Sequence, residues 1–311
     1  MIKNTLIPQT YRGRFAPSPT GALHFGSLVT AMAGYLEAKS KNGEWLVRIE
    51  NLDKPREVPK ASYEILKSLE IFGMEWDHEV IYQDQREHIY ENVLINLKKR
   101  GLTYPCTCTR KKIFNSSITG INGKIYAGTC RNKTWNIRNS DAVRIKTNNS
   151  AIEFNDALYG EVNQKLENEI GDFILRRSDK IYSYHLAVVI DDAAQGITNI
   201  VRGADLLYST PSQIYLQKLL GYSTPAYMHL PIALNNQGEK LSKQTKAARL
   251  NLSNPSKQLF NAASFLGQKP PIELLRDNVL SFWKWAFLNW SSDKIYKTSN
   301  FSLARIKKSN A

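Results

Sequence analysis

Two stretches of this chain carry residue types at spacings that suit phosphate chemistry. The first is Arg14-Phe15-Ala16-Pro17-Ser18-Pro-Thr-Gly-Ala-Leu-His24-Phe-Gly26-Ser. Residues 11–16 read as a short strand, and Pro17, Pro19 and Gly21 punctuate a tight loop. From Leu23 a helical pattern begins, with Leu28, Met32 and Leu36 at four-residue spacing. A strand, a loop and a helix start make a junction that collects anions. The first helical turn leaves backbone N–H groups unbonded, and the positive end of the helix dipole faces outward. His24 and Gly26 are expected in that first turn, where an imidazole can donate a hydrogen bond and glycine lets a ligand approach the backbone closely. Taken alone, the same pattern also describes a proline-capped helix with a surface histidine. The second stretch, Lys240-Leu-Ser-Lys243-Gln244 in a loop after His229-Leu-Pro-Ile, shifts the balance towards phosphate binding. The competing phosphate motifs, G-x-x-x-x-G-K and G-x-G-x-x-G, do not occur.

The chain's three cysteines suit a different chemistry. Cys106, Cys108 and Cys130 lie in or beside residues 109–133, a segment with six basic residues and no acidic one. C-x-C followed by a third cysteine is a spacing at which thiolates converge on a tetrahedral zinc ion. The usual fourth ligands are missing, because no His, Asp or Glu stands between Cys108 and Cys130. Tyr126, four residues before Cys130, is the only phenol in the segment. The alternative is three reduced core cysteines with no metal, against which their clustering in a poorly hydrophobic insertion argues. An odd number of cysteines in a chain expected to be reduced argues against a disulfide framework.

The elements that must position these groups read as an α/β pattern. Residues 45–50 alternate as a strand, with Trp45, Val47 and Ile49 on one face and Arg48 and Glu50 on the other. Glu50 is thereby expected at the carboxyl end of a parallel strand, where open α/β sheets place ligands; a lone strand-end charge facing water is the commoner case. Residues 62–72 and 86–100 read as amphipathic helices, the second with Ile89, Val93 and Leu97 on one stripe and Gly101 as its cap. Strand, helix, strand, helix is the opening of a doubly wound sheet. After the cysteine segment come a strand at 142–146, a hairpin across 173–181, a buried strand at 197–203 ending near Arg202, and a helix at 211–220. That helix has Thr210 as its expected N-cap, Pro at its first position and Gly221 after its end. From Asn251 the chain looks helical and basic, and Leu280, Trp283, Phe287 and Trp290 fall at helical spacing, more often a core stripe than a base-stacking one.

Composition limits the partners. The chain has 311 residues, a net charge of +14 and a pI near 9.5, too basic to be incidental. A polyanionic partner is expected, with a membrane surface as the runner-up. No run approaches membrane-spanning length and the N-terminus has no signal-peptide core, so a cytoplasmic protein is expected.

The two phosphate stretches together resemble the HIGH-type and KMSKS-type signatures of the class I aminoacyl-tRNA synthetases. The departures are Phe25 and Gln244, both peripheral to the groups that would face phosphate. R-F-A-P-S-P-T-G, R-I-E-N-L-D and Y-H-L-A-V-V-I-D-D with I-V-R-G-A-D-L-L are similar to the glutamyl branch of that family. The resemblance implies a Rossmann-like catalytic domain at residues 1–104 and 132–250, a zinc-binding insertion at 105–131, and a C-terminal helical, basic segment at 251–311. It implies a glutamate pocket made of residues 14–18, Glu50, Tyr184 and Arg202. The two guanidiniums would serve carboxylates and Glu50 the ammonium. ATP would dock at His24 and Gly26 with Mg²⁺ on its phosphates, and Lys243, assisted by Lys240, would stabilise the developing charge. The zinc ligands implied are Cys106, Cys108, Tyr126 and Cys130. The chain ends about sixty residues after the lysine loop, too few for the usual anticodon-reading domain. This length resembles the branch's short members, which activate L-glutamate without tRNA and transfer it to the queuosine base in the anticodon of tRNA(Asp). A monomer is expected.

Overall fold

The computed structural model describes residues 10–116, 119–120, 123–133, 141–233 and 248–296. The elements in chain order begin with β1 (Arg12–Phe15), α1 (Phe25–Lys39), β2 (Glu44–Ile49), α2 (Ala61–Ile71), β3 (Ile81–Tyr82) and α3 (Glu87–Lys99). Next come β4 (Thr103–Cys106), α4 (Arg110–Ser116), β5 (Thr119–Gly120), β6 (Gly123–Lys124), β7 (Ala142–Ile145), β8 (Ala151–Asp156) and β9 (Gly160–Lys165). They are followed by α5 (Leu166–Glu169), β10 (Ile174–Arg176), α6 (Tyr184–Ala194), β11 (Asn199–Gly203), α7 (Thr210–Leu220) and β12 (Ala226–Leu230). Helices α8 (Pro255–Phe265) and α9 (Val279–Asn289) complete the described chain.

The main sheet is parallel at its centre. β1 pairs with β2 and β2 with β3, all parallel, and β11 pairs parallel with β12, which pairs parallel with β8. The two halves meet where the Thr198 N–H donates to the Arg12 carbonyl at 2.9 Å and the Arg12 N–H donates to Thr198 Oγ1 at 2.8 Å. β9 adds an antiparallel edge on β8. Helices cover both faces, as a buried parallel sheet requires. On one face Trp45, Val47, Ile49, Val201, Met228 and Leu230 pack with α1, α2, α8 and α9. On the other, Leu46, Ile200 and Tyr227 pack with α3, α6 and α7. Because side chains alternate along a strand, Arg48, Arg202 and His229 share this second face, underneath α6.

The doubly wound expectation holds, with local differences. Residue 24 caps α1 rather than entering it. Arg48 is wholly buried, so the strand at 44–49 has no solvent face. The buried stripe of α3 is Tyr90, Leu94 and Leu97, one residue round from that expected, because Tyr90 turns in to meet Asp191. In α9, Trp283 is buried but Leu280 is 72% exposed; Phe282 and Ala286 complete the inward face. Ser209, not Thr210, holds the N-cap position of α7, and Gly221 ends it with φ 71°. Residues 184–194, given no element from sequence, form a helix capped by Ser183. Among the described residues no helix is long and apolar enough to cross a membrane.

Candidate active site

The cleft lies at the carboxyl ends of β1, β2, β11 and β12, where the chain winds away to either side of the β1–β11 junction. This is the switch-point position that ligands occupy in open α/β sheets. A cavity of about 300 Å³ is walled by Arg14 to Ser18, His24, Gly26, Ser27, Tyr184, Arg202 and Pro231 to Ala233. Residues read as distant in sequence therefore meet: the loop after β1, the start of α1, the N-terminus of α6 and the ends of β11 and β12. Gly21 reaches φ 132° in the β1–α1 loop, a conformation that side chains disfavour.

His24 is extended (φ −120°, ψ 175°), and its Nδ1 accepts the Ser27 N–H at 3.4 Å. The sequence placed it one residue too deep in the helix; as the cap it still stands at the anion-binding end. The expected lysine partners, Lys240 and Lys243, lie outside the described residues. The chain on either side of them does reach the cleft. Ala233 lines it, Arg249 pairs in an antiparallel bridge with His24, and the Leu250 N–H donates to the Leu23 carbonyl at 3.1 Å.

The two arginines expected to bind carboxylates are anchored alike. Arg14 gives its Nε and Nη2 to the two oxygens of Asp192, at 3.1 and 3.3 Å. Arg202 gives its Nε to His229 Nε2 at 3.0 Å and its Nη2 to Thr210 Oγ1 at 2.7 Å, while Nη1 reaches the Tyr184 hydroxyl at 3.3 Å. In both, the Nε–Nη2 side edge of the guanidinium is bonded to protein, so a carboxylate would approach the Nη1–Nη2 end, which in Arg202 also touches the Tyr184 hydroxyl. They differ in charge: Arg14 faces a carboxylate, whereas the three groups bonded to Arg202 are neutral.

Beneath α6 lies a buried ionic layer. Arg48 meets Asp192 at 2.8 Å, Glu50 at 3.3 Å and Gln195 Oε1 at 2.6 Å. Arg86, Gln83 and the Tyr90 hydroxyl all donate to Asp191. Burial pushes Asp192 up, but the Arg14 and Arg48 guanidiniums outweigh it and hold the carboxyl below its usual range. Glu50 behaves oppositely: burial raises it, against the pull of Arg48 and Arg14. A carboxylate kept in that balance gains from a cation arriving beside it. Glu50 is one residue past β2 and its side chain is 7% exposed, so the water-facing reading does not hold.

Two histidines here stay neutral. Burial, with the charge of Arg202, lowers His185 and His229 from 6.5 to about 4. The unfolded chain protonates both rings below about 6.5 and the folded chain only near 4, so unfolding takes up protons between those values. Stability is expected to be complete above pH 6.5 and to fall as pH drops towards 4. Urea midpoints at pH 7.5 and 5 check this; equal midpoints would show that the rings titrate normally.

The cysteine segment also converges. The sulfurs of Cys106, Cys108 and Cys130 lie within 4.8 Å of one another, with Cys108 and Cys130 at 3.6 Å. Thiolates on one tetrahedral zinc stand about 3.8 Å apart at the usual bond length of about 2.3 Å. The Tyr126 hydroxyl is 3.4 Å from Cys106 Sγ and 3.5 Å from Cys108 Sγ, and it accepts the Cys130 N–H at 2.9 Å. Arg144 stacks on the Tyr126 ring at 3.9 Å. Burial pushes the Cys130 thiol up, but hydrogen bonds from Tyr126 and neighbouring groups bring it down to about 7. Three thiols and a phenol around one point fit a zinc ion.

Sequence reading missed Asp192, Arg48, Gln195, Thr210 and Asp156, and gave no role to His229. The only signal was an acidic pair at the end of an apolar helical run, Val-Val-Ile-Asp-Asp.

A doubly wound sheet with a helix N-terminus and two guanidiniums at its switch point suits a ligand that carries phosphate and carboxylate groups. The chain belongs to the class I tRNA synthetases (E and Q), whose catalytic-domain model matches residues 10–264. Among its relatives is a protein named glutamyl-Q tRNA(Asp) synthetase from Dechloromonas aromatica (strain RCB), 50% identical over 291 residues, 93% of this chain and 97% of that one. A protein of the same name from Chromobacterium violaceum is 49% identical over 285 residues, 92% of this chain and 95% of the other. Of solved structures, a glutamate tRNA ligase from Elizabethkingia meningosepticum, crystallised with its amino acid, superposes with a TM-score of 0.76 at 25% identity. That match covers 96% of this chain and 68% of the other. The chain is thus an enzyme of the synthetase family, which uses ATP.

Proposed function

We propose that this enzyme activates L-glutamate with ATP, without tRNA, and transfers the glutamyl group to the queuosine base at the wobble position of tRNA(Asp). The observation that carries the reading is the pairing of two end-on guanidiniums, Arg14 and Arg202, with Glu50 around Tyr184, next to a capped helix start. A dicarboxylic amino acid offers two anions to the arginines and an ammonium to Glu50. Glutamine would leave a carboxylate-seeking guanidinium with a neutral amide.

ATP would lie over the start of α1, with Mg²⁺ on its phosphates and His24 and the Gly26 backbone near them; Lys243, assisted by Lys240, would stabilise the developing charge. The glutamate α-carboxylate attacks the α-phosphorus in line, pyrophosphate departs, and the mixed anhydride remains bound. No general base is needed, because the attacking carboxylate is already ionised; positioning and charge do the chemistry. In the second step a hydroxyl of the queuosine cyclopentenediol attacks the glutamyl carbonyl and AMP leaves.

A second cavity, of about 550 Å³, supports the entry of a second substrate. It shares Ser18 and Tyr184 with the first and runs past Glu50, His185 and Arg177 to Lys124 and Tyr126 of the cysteine segment. Zinc held by Cys106, Cys108, Tyr126 and Cys130 would fix that segment's shape. Its Arg110, Lys111, Lys112 and Lys124 suit an anticodon stem-loop, with the salt dependence that phosphate contacts impose. The overall charge fits that partner, and the reading is of a monomer working in the cytoplasm.

ATP–pyrophosphate exchange in the absence of RNA tests the first step. Glutamate is expected to support it and glutamine and aspartate to fail. Transfer of labelled glutamate to queuosine-containing tRNA(Asp), and not to tRNA(Glu), tests the second. Exchange that starts only when tRNA(Glu) is added would replace this reading with that of an ordinary glutamyl-tRNA synthetase.

A further inference from the structure

Of the two arginines that line the cleft among the described residues, Arg202 has no carboxylate among its bonded partners, so something else must set its orientation. The register supplies it. Arg202 on β11 lies directly opposite His229 on β12, and Tyr227, two residues earlier, pairs with Asp156 at the end of β8. These three strands bring Asp156, His229 and Arg202 into one line. Asp156 Oδ2 lies 2.6 Å from His229 Nδ1, and His229 Nε2 lies 3.0 Å from Arg202 Nε. Asp156 and His229 side chains are 0% exposed.

The chemistry of this line allows one arrangement. Arg202 Nε always carries a proton, so His229 Nε2 must offer a lone pair. The ring's own proton must then sit on Nδ1, where Asp156 accepts it. Asp156 is itself held: its Oδ1 accepts the N–H groups of Leu158 and Tyr159, both at 3.0 Å. Tyr227 stacks on the His229 ring at 5.9 Å and lies 5.3 Å from the Arg202 guanidinium. With Thr210 on Nη2, the side edge of Arg202 is fully occupied and its rotamer fixed. We propose that Asp156 and His229 are positioning residues that fix the Arg202 guanidinium, through a single imidazole tautomer, so that its Nη1–Nη2 end meets a carboxylate of the amino-acid substrate. This rests on the reading of Arg202 as a substrate-binding group.

Substitutions separate the parts. Asp156→Asn keeps an oxygen for Leu158 and Tyr159 but turns an N–H₂ towards Nδ1. The ring must then carry its proton on Nε2, against Arg202 Nε–H. His229→Asn keeps a donor near the Nδ1 place and deletes the acceptor; His229→Gln keeps an acceptor near the Nε2 place. In glutamate-dependent exchange, D156N and H229N are each expected to raise KM for glutamate about ten- to a hundredfold, the size of one hydrogen bond to a charged group. KM for ATP should stay within about twofold of wild type, because the lost contact is specific to the amino acid. H229Q should recover most of the loss. Glutamate KM values at wild-type level in both D156N and H229N would overturn the proposal. So would equal rises in both KM values that track a fall in Tm, the mark of a merely structural role. R202A serves as the reference: a wild-type glutamate KM there would overturn the pocket reading, and the positioning pair with it. Nitrogen-15 NMR of the wild-type protein gives a readout that no folding defect can obscure. His229 should show a protonated Nδ1 and a pyridine-like Nε2; the opposite tautomer would refute the proposal.

Discussion

Replacing His24 by Asn is expected to slow glutamate-dependent ATP–pyrophosphate exchange by about 10²- to 10³-fold, the cost of removing one preorganised donor from a site of developing charge. The choice of Asn separates two jobs that one side chain holds. As the cap of α1, His24 accepts the Ser27 N–H through Nδ1. Asn is among the best capping residues, and its Oδ1 can take over that bond. What Asn cannot supply is the far side of the ring. With Nδ1 accepting, a neutral imidazole carries its proton on Nε2, the donor that the proposed function directs to a phosphate oxygen. His24→Ala removes the cap as well, and should lower stability by about 0.5–2 kcal/mol in addition to the rate. Thermal melts and exchange rates measured on the same samples decide the matter: H24N should melt like the wild type and turn over slowly. An H24N variant with wild-type exchange would leave His24 as a helix cap alone.

The parts of the site that were legible in sequence share a property: their roles follow from local context. A Pro/Gly loop before a helical pattern locates the start of α1, and the cysteine spacing locates a cluster of thiols that could hold a metal; a second stretch, the lysine loop, was needed to tip the first towards phosphate binding. Glu50 stood out from its place at the end of a strand, whereas Arg14, Tyr184 and Arg202 were singled out through resemblance; the structure brings all four to the two cavities that share Ser18 and Tyr184. What stayed hidden is how those groups are held. Arg14 and Asp192 are 178 positions apart, and Asp156 and His229 are 73 apart. No periodicity links such pairs; only the order of strands does. The strands themselves mislead, because a period-two pattern with Arg48 on one face reads as half exposed, whereas α6 covers that face completely. The same cause displaced the stripe on α3. Its geometry follows Asp191, a partner on another helix, rather than its own hydrophobic pattern.

Asp192→Ala should destabilise the fold by about 3–5 kcal/mol, since it strips a buried cation of its partner. Set against a total of about 5–15 kcal/mol for a typical domain, that loss should be visible as a large drop in the urea midpoint. The size follows from what each guanidinium keeps. Arg48 retains Gln195 and Glu50, so it remains partly compensated. Arg14, with its side chain only 4% exposed, loses both oxygens that hold its side edge. An uncompensated charge at that depth either unfolds the region or swings towards the cleft and Glu50, whose carboxylate already feels its charge. In the second case Glu50 would be drawn from the ammonium it is proposed to receive, and glutamate binding would fail even in the molecules that remain folded. Asp192→Asn discriminates, because it keeps the shape and one acceptor while removing the charge. It should fall between wild type and Ala in stability, yet weaken glutamate binding clearly. If D192A unfolded at the wild-type urea concentration, the ionic layer under α6 would not be a source of stability, and the argument that it sets the position of Arg14 would fall with it.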